Sequence, residues 1–393
     1  MINFELHKFS DIAQHITKKV NPSETDLEYY VGLEHLDPES LNIKRWGIPS
    51  DVKGEKIFVS KGDLIFGKRR AYQRKVAIAD FDCICSAHAM VLKPNEDTII
   101  QDLFPFFLQS DQFMERAVQI SVGGLSPTIN WRDLARQEFS LPPISEQKRI
   151  AKILWAAEDV IVKNETFLAE VEHYKQLTMR DLFSKGIGHT EFKEDKKIGI
   201  VPVGWRIGNL GQYIHRPEYG ITASAVKQPL GPKFLRITDI SEKGVDWNKV
   251  PYCNISNGDE EKYHLKIGDI LVARIGATTG KSYLIKEDIS AVFASYLIRI
   301  QCKDIILPKY LGHFTQSRYY WHYIDKVKTG QLKGGVNIPI ICSIPILLPP
   351  LPEQKQIAAI LTQIDETIAA ARETIKSTKA LKMKLIDELL SPG

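Results

Sequence analysis

Cysteine is too scarce and too scattered in this 393-residue chain to hold a fold together. Cys83, Cys85, Cys253, Cys302 and Cys342 are an odd number and show no disulfide or zinc spacing. The isolated Cys83-x-Cys85 pair reads more simply as two residues of one strand than as a metal ligand. Long apolar runs are missing too. The most apolar stretch, Ile338 to Leu351, is short and broken by prolines, which excludes a membrane span there. The first residues lack the basic-then-apolar pattern of a signal peptide, and the expectation is a reducing, cytoplasmic compartment. A net charge of only +4, at a pI of about 8.6, permits an anionic partner without demanding one. Catalytic signatures are absent as well. There is no D-P-P-Y/F or N-P-P-Y/F tetrapeptide of an amino-methyltransferase and no G-x-G-x-x-G after a strand. No carboxylate cluster marks a nuclease metal site, and His35, His88 and His264 have no partners at ligand spacing. The chain is therefore expected to be non-catalytic and to hold no metal or cofactor.

What the chain does contain is a repeat. Residues 141–154 read Leu-Pro-Pro-Ile-Ser-Glu-Gln-Lys-Arg-Ile-Ala-Lys-Ile-Leu, and residues 348–361 read Leu-Pro-Pro-Leu-Pro-Glu-Gln-Lys-Gln-Ile-Ala-Ala-Ile-Leu. Ten of the fourteen positions are identical. Two copies 207 residues apart are a duplicated domain, not a short-period solenoid. In each copy Pro-Pro ends the preceding strand. Ser145 or Pro352 then opens a helix, with Glu146 or Glu353 in the first turn, where the helix dipole favours negative charge.

Length, 44% apolar and 25% charged content are those of an ordinary protein of two or three domains. Residues 1–143 read as mixed α/β. Gly62-Asp63-Leu64-Ile65-Phe66-Gly67 and Ala89-Met90-Val91-Leu92 are predicted strands, and 101–120 has helical spacing. From 144 to 187, residues of a heptad-like stripe recur at spacings of three and four: Ile150, Ile153 or Leu154, Ala157, Val160 or Ile161, Asn164, Phe167 or Leu168, Val171 and Tyr174. That predicts a helix of about 40 residues, or ~60 Å, which Gly186 and Gly188 end. Asn164 either fixes helix register or is simply tolerated. A polar linker, 188–204, leads to a second mixed domain, 205–350, on the same plan. Gly268-Asp269-Ile270-Leu271 matches the first domain's strand, and 308–328 its helix. The second long helix, 351–393, carries its stripe at Ile357, Ile360 or Leu361, Ile364, Ile368, Ala371, Ile375, Leu381, Leu385 and Leu389.

A helix with one apolar stripe must bury it, and its own duplicate is the natural partner. A parallel pairing would send the 186–205 linker back along the whole helix. Twenty residues reach at most ~70 Å fully extended, which leaves no slack. The expected architecture is α/β (α+β): two globular domains and two long helices forming an antiparallel coiled coil, a pseudo-two-fold internal repeat. Two diverged heads on a repeated rod suit DNA, whose major-groove pattern recurs every ~34–36 Å.

The chain resembles the specificity subunits of type I restriction–modification systems. The likeness rests on the two Leu-Pro-Pro-x-x-Glu-Gln-Lys openings, on Gly62 to Gly67, and on Lys185-Gly186-Ile187-Gly188-His189 leading to Pro202-Val203-Gly204-Trp205. It covers essentially the whole chain, with Ser145 where the second copy has Pro352. It implies two target-recognition domains that read the halves of a bipartite, asymmetric site in double-stranded DNA. It further implies conserved helices that set the gap and dock two adenine-methylating modification subunits, joined by helicase-nuclease restriction subunits. S-adenosylmethionine, ATP and Mg would belong to those partners. The helix starts Pro143, Glu146, Gln147 and Lys148, with Pro350, Glu353, Gln354 and Lys355, are the implied docking residues.

Several residues invite DNA. Lys68, Arg69, Arg70, Tyr72, Gln73, Arg74 and Lys75 lie in a run of five cations without an acid. Arginine can pair bidentately with guanine, glutamine with adenine, and lysine suits phosphate; the alternative is a solvated hairpin surface. The positional counterpart carries Arg274, Thr278, Thr279 and Lys281. It falls one residue short of the phosphate-cradling G-x-x-x-x-G-K-S/T loop and precedes an expected strand instead of a helix. Glycine-rich loops at 123–128, with Ser126 and Thr128, and at 330–335, with Gln331 and Lys333, either approach phosphate or merely close the domains. Tyr319, Tyr320, Trp321 and Tyr323 read as helix packing before base stacking. Two rival readings stand beside this one. One is a stand-alone NTPase or methyltransferase, and the other is an assembly scaffold without nucleic acid.

Overall fold

The computed structural model describes residues 3–195, 199–241, 244–329 and 335–391. The chain packs as two compact units, one formed by 1–167 with 371–393 and the other by 168–370. Each of the long helices, Ile144–Lys185 and Leu351–Leu390, contributes one part to each unit.

In the first unit, Ala13–Ile16, Met90–Pro94, Leu64–Phe66 and Val76–Ile78 form an antiparallel sheet in that order. A second sheet of Lys19–Val20, Lys56–Val59, Cys83–Cys85 and Tyr30–Val31 has one parallel pair. Cys83 and Cys85 are buried within its strand, and burial pushes the Cys83 thiol up to about 12, as inert packing requires. Between the sheets and the helices lies an aromatic core. The Phe113 ring meets Phe9, Phe66, Phe107 and Phe139 at 5.3–5.7 Å between centroids. Ile150, Leu154, Ile386 and Leu390 of the two long helices close it.

The second unit repeats the first sheet strand for strand: Glu218–Tyr219, Leu297–Ile300, Ile270–Ala273 and Ser282–Leu284, again antiparallel. Its second sheet, Ala225–Val226, Tyr252–Cys253, Lys233–Leu235 and Ala291–Phe293, has a different order. The shared Gly-Asp pair explains the common sheet. Gly62 and Gly268 both have φ of 94°, where a Cβ is strained. The carboxylates of Asp63 and Asp269 accept from the backbone N–H three residues earlier, Ser60 and Lys266, at 2.9 and 3.0 Å. A tight turn thus launches the central strand in each unit.

Three local expectations differ from what the chain does. The helix expected over 101–120 is two, Phe104–Gln109 and Asp111–Gln119. Ser110 is extended between them, its Oγ donating to Phe107 O and accepting from Phe113 N, so one side chain ends the first helix and caps the second. The helix expected over 308–328 is likewise split, into Pro308–Phe314 and Arg318–Thr329, with Ser317 Oγ accepting from Tyr320 N. The polar linker after the first long helix holds a hairpin, Phe192–Asp195 with Gly199–Pro202, which buries Val201. Among the described residues no helix is long and apolar enough to cross a membrane.

Candidate nucleic-acid interface

In the first unit the cationic run forms the connection between strands Leu64–Phe66 and Val76–Ile78, closed by Gly67 N donating to Lys75 O. A single 3-10 turn, Ala71–Gln73, sits at its tip, flanked by Arg70 (φ 57°) and Arg74 (φ 53°) in the left-handed region. Non-glycine residues rarely adopt that conformation, and strain of this kind gathers at functional loops. The turn divides the run by role. The Arg74 guanidinium pairs with Asp111, and Lys75 Nζ donates to Leu33 O at 2.6 Å, so both are held inside the unit. Tyr72 is 55% exposed, and no described residue bonds the Tyr72 or Gln73 side chain. Arg69 Nη1 lies 3.1 Å from His88 Nε2. Burial, then the charges of Arg69, Lys68 and Lys56, lowers the His88 imidazole, as a locally positive surface requires. Burial also lowers the Lys68 ammonium.

The glycine loop at 123–128 joins this turn. Arg70 N donates to Pro127 O at 2.7 Å, and its Nε and Nη2 donate to Ser126 Oγ at 3.2 and 3.1 Å. Thr128 bridges Arg69, and Ile129 N donates to Lys68 O. Beside the turn runs a groove of about 510 Å³ whose wall mixes Glu34, Asp37 and Glu39 with Arg45, Arg74 and Lys75, and Arg45 pairs with Asp37. Arg69 and Arg70 bond His88 and Ser126 instead of a carboxylate, which makes the Arg69–Arg70–Ser126 side the anion-compatible one.

The second unit builds the same junction from different residues. Val336 N donates to Arg274 O, the counterpart of the Ile129–Lys68 bond. The Arg274 guanidinium lies 4.7 Å from the Tyr219 ring centroid, a cation–π contact. Thr279 is buried with its Oγ1 donating to Gly276 O, so it shapes the turn and presents nothing to solvent. Thr278 and Lys281 remain partly exposed. The strand Ser282–Leu284 follows, where a phosphate-cradling loop would open a helix. A Cβ on Gly280 would come within 2.7 Å of Ile324, so this glycine serves close packing. Gln331 and Lys333 lie outside the described residues. Tyr320 is wholly buried, and Tyr319, Trp321 and Tyr323 pack against the core, as helix packing predicts.

The helix starts show why the Glu-Gln pair recurs. Gln147 is buried: its Oε1 accepts from Ile100 N, and its Nε2 donates to Thr98 O and Pro142 O at 2.8–2.9 Å. Gln354 repeats this with Leu307 N, Ile305 O and Pro349 O. Each amide clamps a loop of its own unit to the helix start. Glu353 gathers Ile187 N, His189 Nε2 and Trp205 Nε1 at 2.9–3.0 Å, which accounts for the Gly-Ile-Gly-His and Val-Gly-Trp segments. Glu146 pairs with Arg149, Pro143 is partly exposed, and Lys148, Pro350 and Lys355 are exposed. Neither clamp was foreseen from spacing, because an interior glutamine has the same signature as a surface one. Among the described residues no His, Cys, Asp and Glu group could hold a metal ion.

Comparison with known proteins identifies the family and the fold. The family model for the type I restriction modification DNA specificity domain matches residues 2–173 and 236–379. The MjaVIII type I restriction enzyme specificity subunit of Methanocaldococcus jannaschii is 25% identical, covering 99% of this chain and 92% of that one. The EcoKI specificity subunit of Escherichia coli is 24% identical over 81% of this chain and 70% of its own. A crystal structure of a type I restriction–modification S subunit from M. genitalium has the same fold, at a TM-score of 0.61 and 12% identity, covering 100% and 97%. With two matched segments spanning most of its length, this chain belongs to the family of type I restriction–modification DNA specificity subunits.

Proposed function

We propose that each unit presents one DNA-reading face, made where its hairpin turn meets its glycine loop, and that the two faces read unlike halves of one bipartite site. The observation that carries this is the recurrent junction. Lys68 O and Arg274 O accept equivalent bonds from Ile129 N and Val336 N, although the side chains around them differ. In the first unit, Arg69, Arg70, Tyr72 and Gln73 supply base-edge readout, while Lys68, Ser126 and Thr128 suit the backbone. Arg74 and Lys75 position the turn. In the second unit, Arg274, Thr278 and Lys281 take these parts, with Thr279 shaping their turn, and Gln331 and Lys333, outside the described residues, are proposed to join them from the glycine-rich segment 330–335.

The exposed helix starts at Lys148 and Lys355, with Pro143, Glu146 and Pro350, dock two modification subunits, and Gln147, Gln354 and Glu353 hold those starts in shape. Restriction subunits complete the assembly in the cytoplasm. Adenine methylation and ATP-driven cleavage, with their S-adenosylmethionine, ATP and Mg, belong to the partners. Mapping methylated adenines on host DNA supplies the site. Arg70→Ala in the assembled complex is then expected to lose about 1–3 kcal/mol against the half-site read by the first unit and nothing against the other. Equal losses on both half-sites, each probed separately, would make Arg70 a general phosphate contact and refute the assignment.

A further inference from the structure

Leu125 is 97% exposed, the barest large apolar side chain among the described residues. It stands at the apex of a short hairpin loop whose stem is closed in both directions, Val122 N to Thr128 O and Thr128 N to Val122 O. The loop is not slack. Gly123 has φ of 120° and permits the reversal, and Arg70 grips the far side through Ser126 Oγ and Pro127 O. Gly124 has nothing within 4 Å of where a Cβ would be, so the apex is open on that side. A leucine held this firmly in water contributes no burial to its own unit, and its loop is tied to the cationic turn by Arg70, by the Arg69–Thr128 bridge and by Ile129 N donating to Lys68 O.

On a face that meets DNA, apolar side chains near cations have a well-understood use. They enter the base stack of a duplex whose phosphates the cations hold, partly unstacking one step and bending the helix. We infer that Leu125 is an apolar wedge that inserts at a base step within the half-site read by the first unit. This rests on the reading of that face as a DNA interface. A wedge adds specificity without a base-edge hydrogen bond, because steps that unstack easily accept it at lower cost. Arg70 then serves twice, once toward DNA and once as the strut that fixes the wedge.

The test uses the assembled complex with its modification subunits, on duplexes carrying 2-aminopurine at successive positions of the half-site. Binding of the unaltered complex is expected to raise fluorescence at one step apart from the methylated adenine, which the modification subunits would take out of the stack themselves. Leu125→Ala is expected to abolish that rise and weaken binding about tenfold, with an unchanged dependence on salt, because no phosphate contact is lost. Leu125→Met is expected to restore both. Arg69→Ala, which leaves the loop's grip on Arg70 intact, reports on the face itself and should weaken binding while lowering the salt slope. If Arg69→Ala weakens binding but no step unstacks, or Leu125→Ala unstacks and binds normally, the wedge is refuted and the face stands. If Arg69→Ala has no effect on binding, the face itself is refuted. Loss of the modification subunits from the Leu125→Ala complex would make the loop a protein contact and overturn the proposal.

Discussion

His313 lies buried in the second unit, its Nε2 3.1 Å from Thr362 Oγ1 and its Nδ1 3.7 Å from Asp365 Oδ2. Burial lowers its imidazole to about 4; Asp365 opposes this, while Lys175, Lys286 and Lys309 reinforce it. An unfolded histidine titrates near 6.5. The neutral native ring therefore contributes stability above that pH, and the contribution is lost as pH falls toward 4. Between those values the loss runs at up to about 1.4 kcal/mol per pH unit. Calorimetry of the intact chain between pH 7 and 4.5 should show a falling second-unit transition, and His313→Gln should flatten that fall. A parallel decline in both proteins would clear His313 of the effect. Nothing in the sequence around His313 marks it as buried, because the element that covers it, with Thr362 and Asp365, is some 50 residues away. The Gly-Asp turns were legible for the opposite reason: a positive φ and an i to i−3 acceptor are satisfied within a few neighbouring residues.

The pairing of the long helices shows what periodicity can and cannot locate. Within the first unit Glu158 bonds Lys382 at 2.8 Å and Glu165 bonds Lys379 at 2.7 Å, so numbers rise along one helix as they fall along the other. Within the second, Lys175 bonds Asp365 at 2.6 Å. The antiparallel arrangement follows from the short reach of the linker and the stripes from hydrophobic spacing, but the seam does not follow apolar residues throughout. Leu381, assigned to the stripe, is 54% exposed, while its neighbour Lys382 is wholly buried. Asn164 Nδ2 donates to Val160 O of its own helix, and charged pairs occupy polar seam positions. Lys382 Nζ also meets Glu39 O and Gln109 Oε1, tying the helix to the first unit's loops. Glu158→Ala would leave a buried ammonium without its counter-charge, and should cost about 3–5 kcal/mol in denaturant unfolding. Glu158→Leu with Lys382→Met should be neutral or stabilising by about 1–4 kcal/mol. A loss in the double variant as large as in the single one would mean that the pair, and not charge compensation, holds the seam together.

At the scale of the whole chain, duplication accounts for the two recurrent sheets, the two helix starts with their buried glutamines, and the two loop junctions. The repeated Pro-Pro-x-x-Glu-Gln run made that plan readable, since one motif in register with a long helix fixes its neighbours. The second sheet of each unit was not readable: most of its strands are two or three residues long, and tertiary pairing alone defines them. The repeated elements meet common partners and the diverged ones meet different bases, on the function proposed here. It follows that helix length should set the gap in the DNA site. Four residues added to the first helix between Glu165 and Lys175, and four to the second between Asp365 and Lys379, leave all three charged pairs intact. Each insertion adds ~6 Å, close to one helical turn, so the seam stays nearly in phase. The methylated site should then keep both half-site sequences and gain about two base pairs between them, at about 3.4 Å per pair. Methylation mapping that returned the original gap would show that the helices do not measure it.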